Sequence, residues 1–190
     1  MKRGFKSWCE KLSEEYRNEL GLDHADPLDP YALAEFLGVR ILRPEDIPGV
    51  PQDALDQLLR HDPKSWSAIT LCLDGMGELI ILNSSHSQPR QRSSTMHELS
   101  HLLIGHIAAR VDVSEDGCML LNSYDKEQED EANWLAGVLL VPRTAAMKIA
   151  ASKVERGAAA HTYGVSTEML EWRLNATGVK QQLQRRRALK

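Results

Sequence analysis

Residues 94–106 read S-T-M-H-E-L-S-H-L-L-I-G-H, with two histidines four positions apart and a glutamate directly after the first. On an α-helix, residues i and i+4 lie one turn apart on the same face. His97 and His101 therefore present ring nitrogens to a single ion, at about 2.0–2.1 Å each if that ion is zinc. Glu98 points beside such an ion rather than at it. From there it takes a proton from a water that zinc acidifies to a pKa of roughly 7. A structural account competes with this one, because Thr95-x-x-Glu98 also fits a helix capping box. Met96, Leu99, Leu102, Leu103 and Ile107 favour the metal, since they give the segment a buried face. Two imidazoles beside a core without a partner are costly to desolvate. His106 stands outside the ligand spacing and is assigned to the helix C-terminus, where Gly105 ends the helix and a cation is favoured.

A catalytic zinc keeps three protein ligands and one open position, so a third must come from elsewhere. The acid-rich stretch K-E-Q-E-D-E-A-N-W-L-A-G-V-L-L-V-P offers Glu127, Glu129, Asp130 and Glu131 at the start of a helix. Glu129, Ala132, Asn133, Ala136 and Leu140 form one stripe of that helix, and Glu131, Leu135 and Val138 form another. Spacing alone does not choose between the two glutamates, and acids at a helix N-terminus also favour the macrodipole with no metal at all.

The elements that must position these residues follow from periodicity and turn chemistry. Trp8, Leu12, Tyr16 and Leu20 predict a helix over Phe5–Leu20, and a short helix after Pro30 stops at Gly38 before a strand at Val39–Leu42. Five prolines and glycines between Arg43 and Pro63 predict loop, with a short helix around Ala54–Arg60. Trp66–Leu73 and Glu78–Leu82 flank D-G-M-G and predict a hairpin. A polar segment over residues 83–92 precedes the H-E-x-x-H helix, a loop runs from about Val111 to Lys126, and a second strong helix covers Glu127–Val141, stopped by Pro142. The remainder is helical in character. The expectation is an α+β fold, mostly helical and zincin-like, with a small sheet of about three strands. It forms one domain over 1–190: an N-terminal helix (1–27), a catalytic core (28–142) and a C-terminal helical part with a basic tail (143–190).

Composition excludes several classes. The chain has 190 residues, 42% of them hydrophobic and 26% charged, with net charge −4, which predicts neither a membrane nor a strong nucleic-acid partner. Lys180, Arg185, Arg186, Arg187 and Lys190 make the tail basic with no nearby acid in sequence, yet offer few phosphate contacts. Cys9, Cys72 and Cys118 are odd in number and far apart, which argues against a disulfide framework and for a reducing cytoplasm. The basic N-terminus lacks the apolar stretch of a signal peptide.

The two motifs together carry a resemblance. H-E-L-S-H-L-L-I-G-H followed by E-D-E-A-N-W-L-A-G-V-L-L-V-P resembles the ImmA/IrrE family of zinc-dependent metallopeptidases, with its H-E-x-x-H and its E-x-E-A-N-x-F-A-x-x-L-L-x-P. R-Q-R before the first motif, L-D-P-Y-A-L-A-E-F-L-G-V near the start and Y-G-V-S-T-E-M-L-E-W-R-L near the end are also similar. The likeness spans roughly residues 28–175. It implies a gluzincin-like site with His97, His101 and Glu129 as ligands, Glu98 as general base and Asn133 orienting a ligand, while Glu131 stays in reserve. Ser93, Ser94, Leu135 and Val141 depart from the family pattern, which touches the packing and the substrate cleft more than the chemistry.

The resemblance further implies a zinc endopeptidase that cleaves a helix-turn-helix repressor in trans, switching on stress or mobile-element genes. Manganese or cobalt also suits a His/His/Glu set. The competing expectation is a metal-binding regulatory module that sequesters a repressor without cutting it. Tyr124, His161 and Tyr163 are candidate oxyanion donors that spacing does not separate.

Overall fold

The computed structural model describes residues 1–73, 77–106, 110–113, 119–122 and 125–188. Helix α1 (Phe5–Glu19) leads to α2 (Pro30–Leu37). The Asp29 carboxylate accepts the Tyr31 N–H at the start of α2, Pro30 fits its first turn, and Gly38 ends it with φ 72°. Strand β1 (Arg40–Leu42) follows, then α3 (Gln52–Asp56), which widens into one π-turn over Gln57–His61.

Strands β2 (Ala68–Leu73) and β3 (Gly77–Leu82) pair antiparallel, with Leu73 opposite Gly77; the turn residues 74–76 lie outside the described set. Strand β1 pairs parallel with β3, Ile41 opposite Ile80, so the order is β1-β3-β2 and β2 is an edge. This mixed sheet and the helices make the fold α+β, as expected. The region read as a loop from Val111 is a departure: β4 (Arg110–Val113) and β5 (Met119–Asn122) pair antiparallel as a second, separate sheet. Two four-residue strands leave too short a pattern for periodicity to register.

Helix α4 (Gln88–Ile104) starts earlier than its apolar pattern suggests, so Gln88–Arg92, read as polar lead-in, form its first turns. Pro89 fits that position because the first amides of a helix have no intrahelical partner. Helix α5 (Lys126–Leu140) is capped by the Asp125 carboxylate, which accepts the Glu127 N–H at 2.8 Å, and stops before Pro142. The two helices pack side by side and share the core: Met96 and Leu99 from α4, and Leu135, Val138, Leu139 and Leu140 from α5, are all fully buried.

Four further helices complete the chain: α6 (Arg143–Ala151), α7 (Arg156–Thr162), α8 (Thr167–Ala176) and α9 (Val179–Ala188). Two fully buried arginines tie these and α1 to the end of α5. Arg17 donates to the carbonyls of Leu139 (2.8 Å) and Asp26 (2.9 Å), and Arg173 donates to the carbonyl of Val141 (2.9 Å) and to Glu10 (3.0 Å). Lys180, read as having no nearby acid, reaches Glu171 at 2.6 Å across the α8–α9 turn. Among the described residues no single helix is long and apolar enough to cross a membrane.

Candidate metal centre

The facing sides of α4 and α5 bring three of the expected residues to one point. His97 Nε2 lies 3.1 Å from His101 Nε2, and the two nitrogens lie 3.2 and 3.3 Å from the two oxygens of Glu129. All three ligand atoms fall within 4.8 Å of one another, so the group could hold a metal ion. The donor set fits a borderline cation: two imidazole nitrogens and one carboxylate, gathered about one small space. His101 is pushed down to about 4, first by burial and then by His97 and His106 beside it, so its ring is neutral at pH 7 and keeps a lone pair.

Glu98 lines one cleft with His97 and Glu129, with one carboxylate oxygen on the sheet. Its Oε2 accepts the hydroxyl of Thr70 on β2 at 2.5 Å. Burial raises its carboxyl above the usual 4.5, the Thr70 hydrogen bond and His97 oppose that rise, and the neighbouring Glu129 charge adds to it. The capping-box alternative fails here. Thr95 is in mid-helix with its hydroxyl on the Gln91 carbonyl at 2.9 Å, and Glu98 caps nothing. This cleft of about 330 Å³ opens over His97, Glu98 and Glu129, walled by Ser67 and Ala68 from the β2 side and by Ser93 and Ser94 from α4.

Glu131 turns away from the cluster. Its Oε2 lies 3.4 Å from His106 Nε2, and His106 Nδ1 lies 3.0 Å from His101 Nδ1. His106 thus stands behind His101 rather than simply closing the helix. The cause is local. Gly105 (φ 76°) turns the chain so that its N–H reaches the Leu102 carbonyl and the His106 N–H reaches the His101 carbonyl at 3.0 Å, a Schellman ending that stacks residue 106 on residue 101. The pattern H-x-x-x-G-H was a readable signal for this contact. Thr70 had no such signal.

Asn133 lines the cleft with an exposed side chain and, among the described residues, hydrogen-bonds to none of the three clustered groups. Tyr163 is buried with its hydroxyl donated to the Ala25 carbonyl at 2.6 Å, His161 is exposed on α7, and Tyr124 lies outside the described residues.

Residues 52–175, well over half of the chain, match the peptidase family model described as the IrrE N-terminal-like domain. No curated protein matches the chain.

Proposed function

The chain belongs to the IrrE N-terminal-like family of peptidases, and from that membership and the geometry above we propose that it is a metal-dependent endopeptidase. The observation that carries the proposal is the convergence of His97, His101 and Glu129 with Glu98 beside them. Those three residues would hold the ion, with zinc the best match to the set. A bound divalent ion supplies Lewis-acid chemistry, polarising a peptide carbonyl and acidifying a water molecule.

The chain's own residues do the rest. Thr70 occupies Glu98 Oε2, which fixes the carboxylate and leaves Oε1 to take a proton from the attacking water. Burial makes Glu98 a stronger base than an exposed carboxylate, closer to the pH at which proton transfer is efficient. The same carboxyl then returns the proton to the leaving amine nitrogen. A peptide substrate would enter by the cleft beside β2, whose walls include the small residues Ser67, Ala68, Ser93 and Ser94.

The substrate we propose is a helix-turn-helix repressor acting in trans, on the strength of the motif resemblance. The test is incubation of the zinc-loaded protein with such a repressor, read by mass spectrometry, with Glu98→Gln alongside. Cleavage falling roughly 10²–10⁴-fold in Glu98→Gln while zinc stays bound supports the peptidase reading. Relief of repression by Glu98→Gln without any cleavage defeats it and leaves a sequestering module.

A further inference from the structure

We propose that His106 and Glu131 are positioning residues that fix which nitrogen of His101 carries the proton, and through it the affinity of the site for its metal. The inference rests on the reading of His97, His101 and Glu129 as ligands. A ring nitrogen binds a metal only with its lone pair free, so His101 Nε2 can serve only when the proton sits on Nδ1. That Nδ1 lies 3.0 Å from His106 Nδ1. With the His101 proton in this contact, His106 Nδ1 must accept, and the His106 proton goes to Nε2. There it meets Glu131 Oε2 at 3.4 Å, an oxygen that as a carboxylate only accepts.

Each step forces the next. The carboxylate at the far end orders both imidazoles, and the order leaves His101 Nε2 free toward Glu129 and His97. Reversing it would put a proton where the metal must go and set a His106 lone pair against a carboxylate. Water competes little for these contacts, because the side chains of His106 and Glu131 are only 7% and 14% exposed. A ligand histidine ordinarily gives its second N–H directly to a carboxylate or carbonyl. Here an imidazole is interposed, and the helix ending at Gly105 holds it there through the backbone.

The experiment measures zinc affinity by competition with a chromophoric chelator for the wild type, His106→Leu, His106→Gln, Glu131→Leu and Glu129→Ala. A glutamine carbonyl can accept the His101 N–H where leucine cannot. The zinc-loaded, ¹⁵N-labelled proteins are also examined for the His101 ring N–H. We expect His106→Leu to weaken zinc roughly 10–100-fold, His106→Gln to recover most of that loss, and Glu131→Leu to fall between them. A protected, downfield His101 Nδ1–H in the wild type, lost in His106→Leu, supports the same assignment. If His106→Leu does not fold, the Gln and Glu131 variants decide. Equal losses in the Leu and Gln variants overturn the proposal, because packing alone would explain them. Zinc held by the wild type, lost in Glu129→Ala and unchanged in His106→Leu overturns this inference alone. No zinc in the wild type removes the ligand reading and this inference with it.

Discussion

The two ends of helix α5 treat their polar groups in opposite ways. At the C-terminal end the carbonyls of Val138, Leu139 and Val141 are each taken, by Ser13, Arg17 and Arg173. Donor meets acceptor, and two cations lie where the helix dipole is negative. At the N-terminal end Glu129 meets two imidazoles, one of them held neutral, and Glu98 adds a second carboxylate nearby. Two imidazole nitrogens there lie 3.2 and 3.3 Å from the oxygens of a single carboxylate. At the first end two buried arginines clamp the helix carbonyls from within the chain, although Arg173 Nη1 is buried with no hydrogen-bond partner among the described residues. The second gathers His97, His101 and Glu129 in an arrangement that could hold a metal ion, and its side chains are partly exposed where the two arginines are fully buried.

The sharpest test of this contrast is the loss of one acceptor. Glu129→Ala should lower zinc affinity by more than the roughly 10–100-fold that removal of an outer partner costs, measured by chelator competition. Glu131→Ala should cost less affinity. An equal loss in both variants would erase the division between the two glutamates.

The opposite end should give the opposite result. Arg17→Met keeps the length of the side chain and removes every donor, leaving the Leu139 and Asp26 carbonyls without partners. Urea unfolding should show a loss of about 3 kcal/mol, one desolvated acceptor costing about 1–3 kcal/mol. Zinc affinity of the folded protein should not change. A parallel fall in affinity would mean that the clamp also sets the site, and the two ends would no longer be separable.

What the sequence made legible follows the range of each interaction. Both halves of the cluster could be read, because His97 and His101 are fixed by one helix and the acids open another. The choice of Glu129 over Glu131 came from resemblance, since two residues about 200° apart around a helix are distinguished only by what packs against them. Thr70 sits 28 residues before Glu98 on a strand whose pattern reports burial and nothing of its partner. Arg17 reads as one more surface charge in S-E-E-Y-R-N-E, because its partner Leu139 is 122 residues away. His106 is the exception. Its contact with His101 is local, set by a helix that ends in glycine, and was legible to anyone asking what a Schellman ending stacks.

The smallest effect expected is also the one that depends on pH. In the metal-free protein, kept so by chelator, Glu98 is a buried carboxyl whose pKa lies above the usual 4.5, mainly through burial and against the pull of the Thr70 hydroxyl. Above pH 4.5 the folded chain holds this proton longer than the unfolded chain does. The native state therefore binds more protons in that window, and stability falls as pH rises through it. Glu98→Gln removes the titration while keeping an oxygen for Thr70 to bond. The variant should match the wild type below about pH 4.5 and become the more stable of the two as pH rises toward neutrality. Melting curves across pH 4–8 check this. A constant difference at every pH would trace the gain to packing, whereas a gain that grows with pH identifies the buried charge as its source.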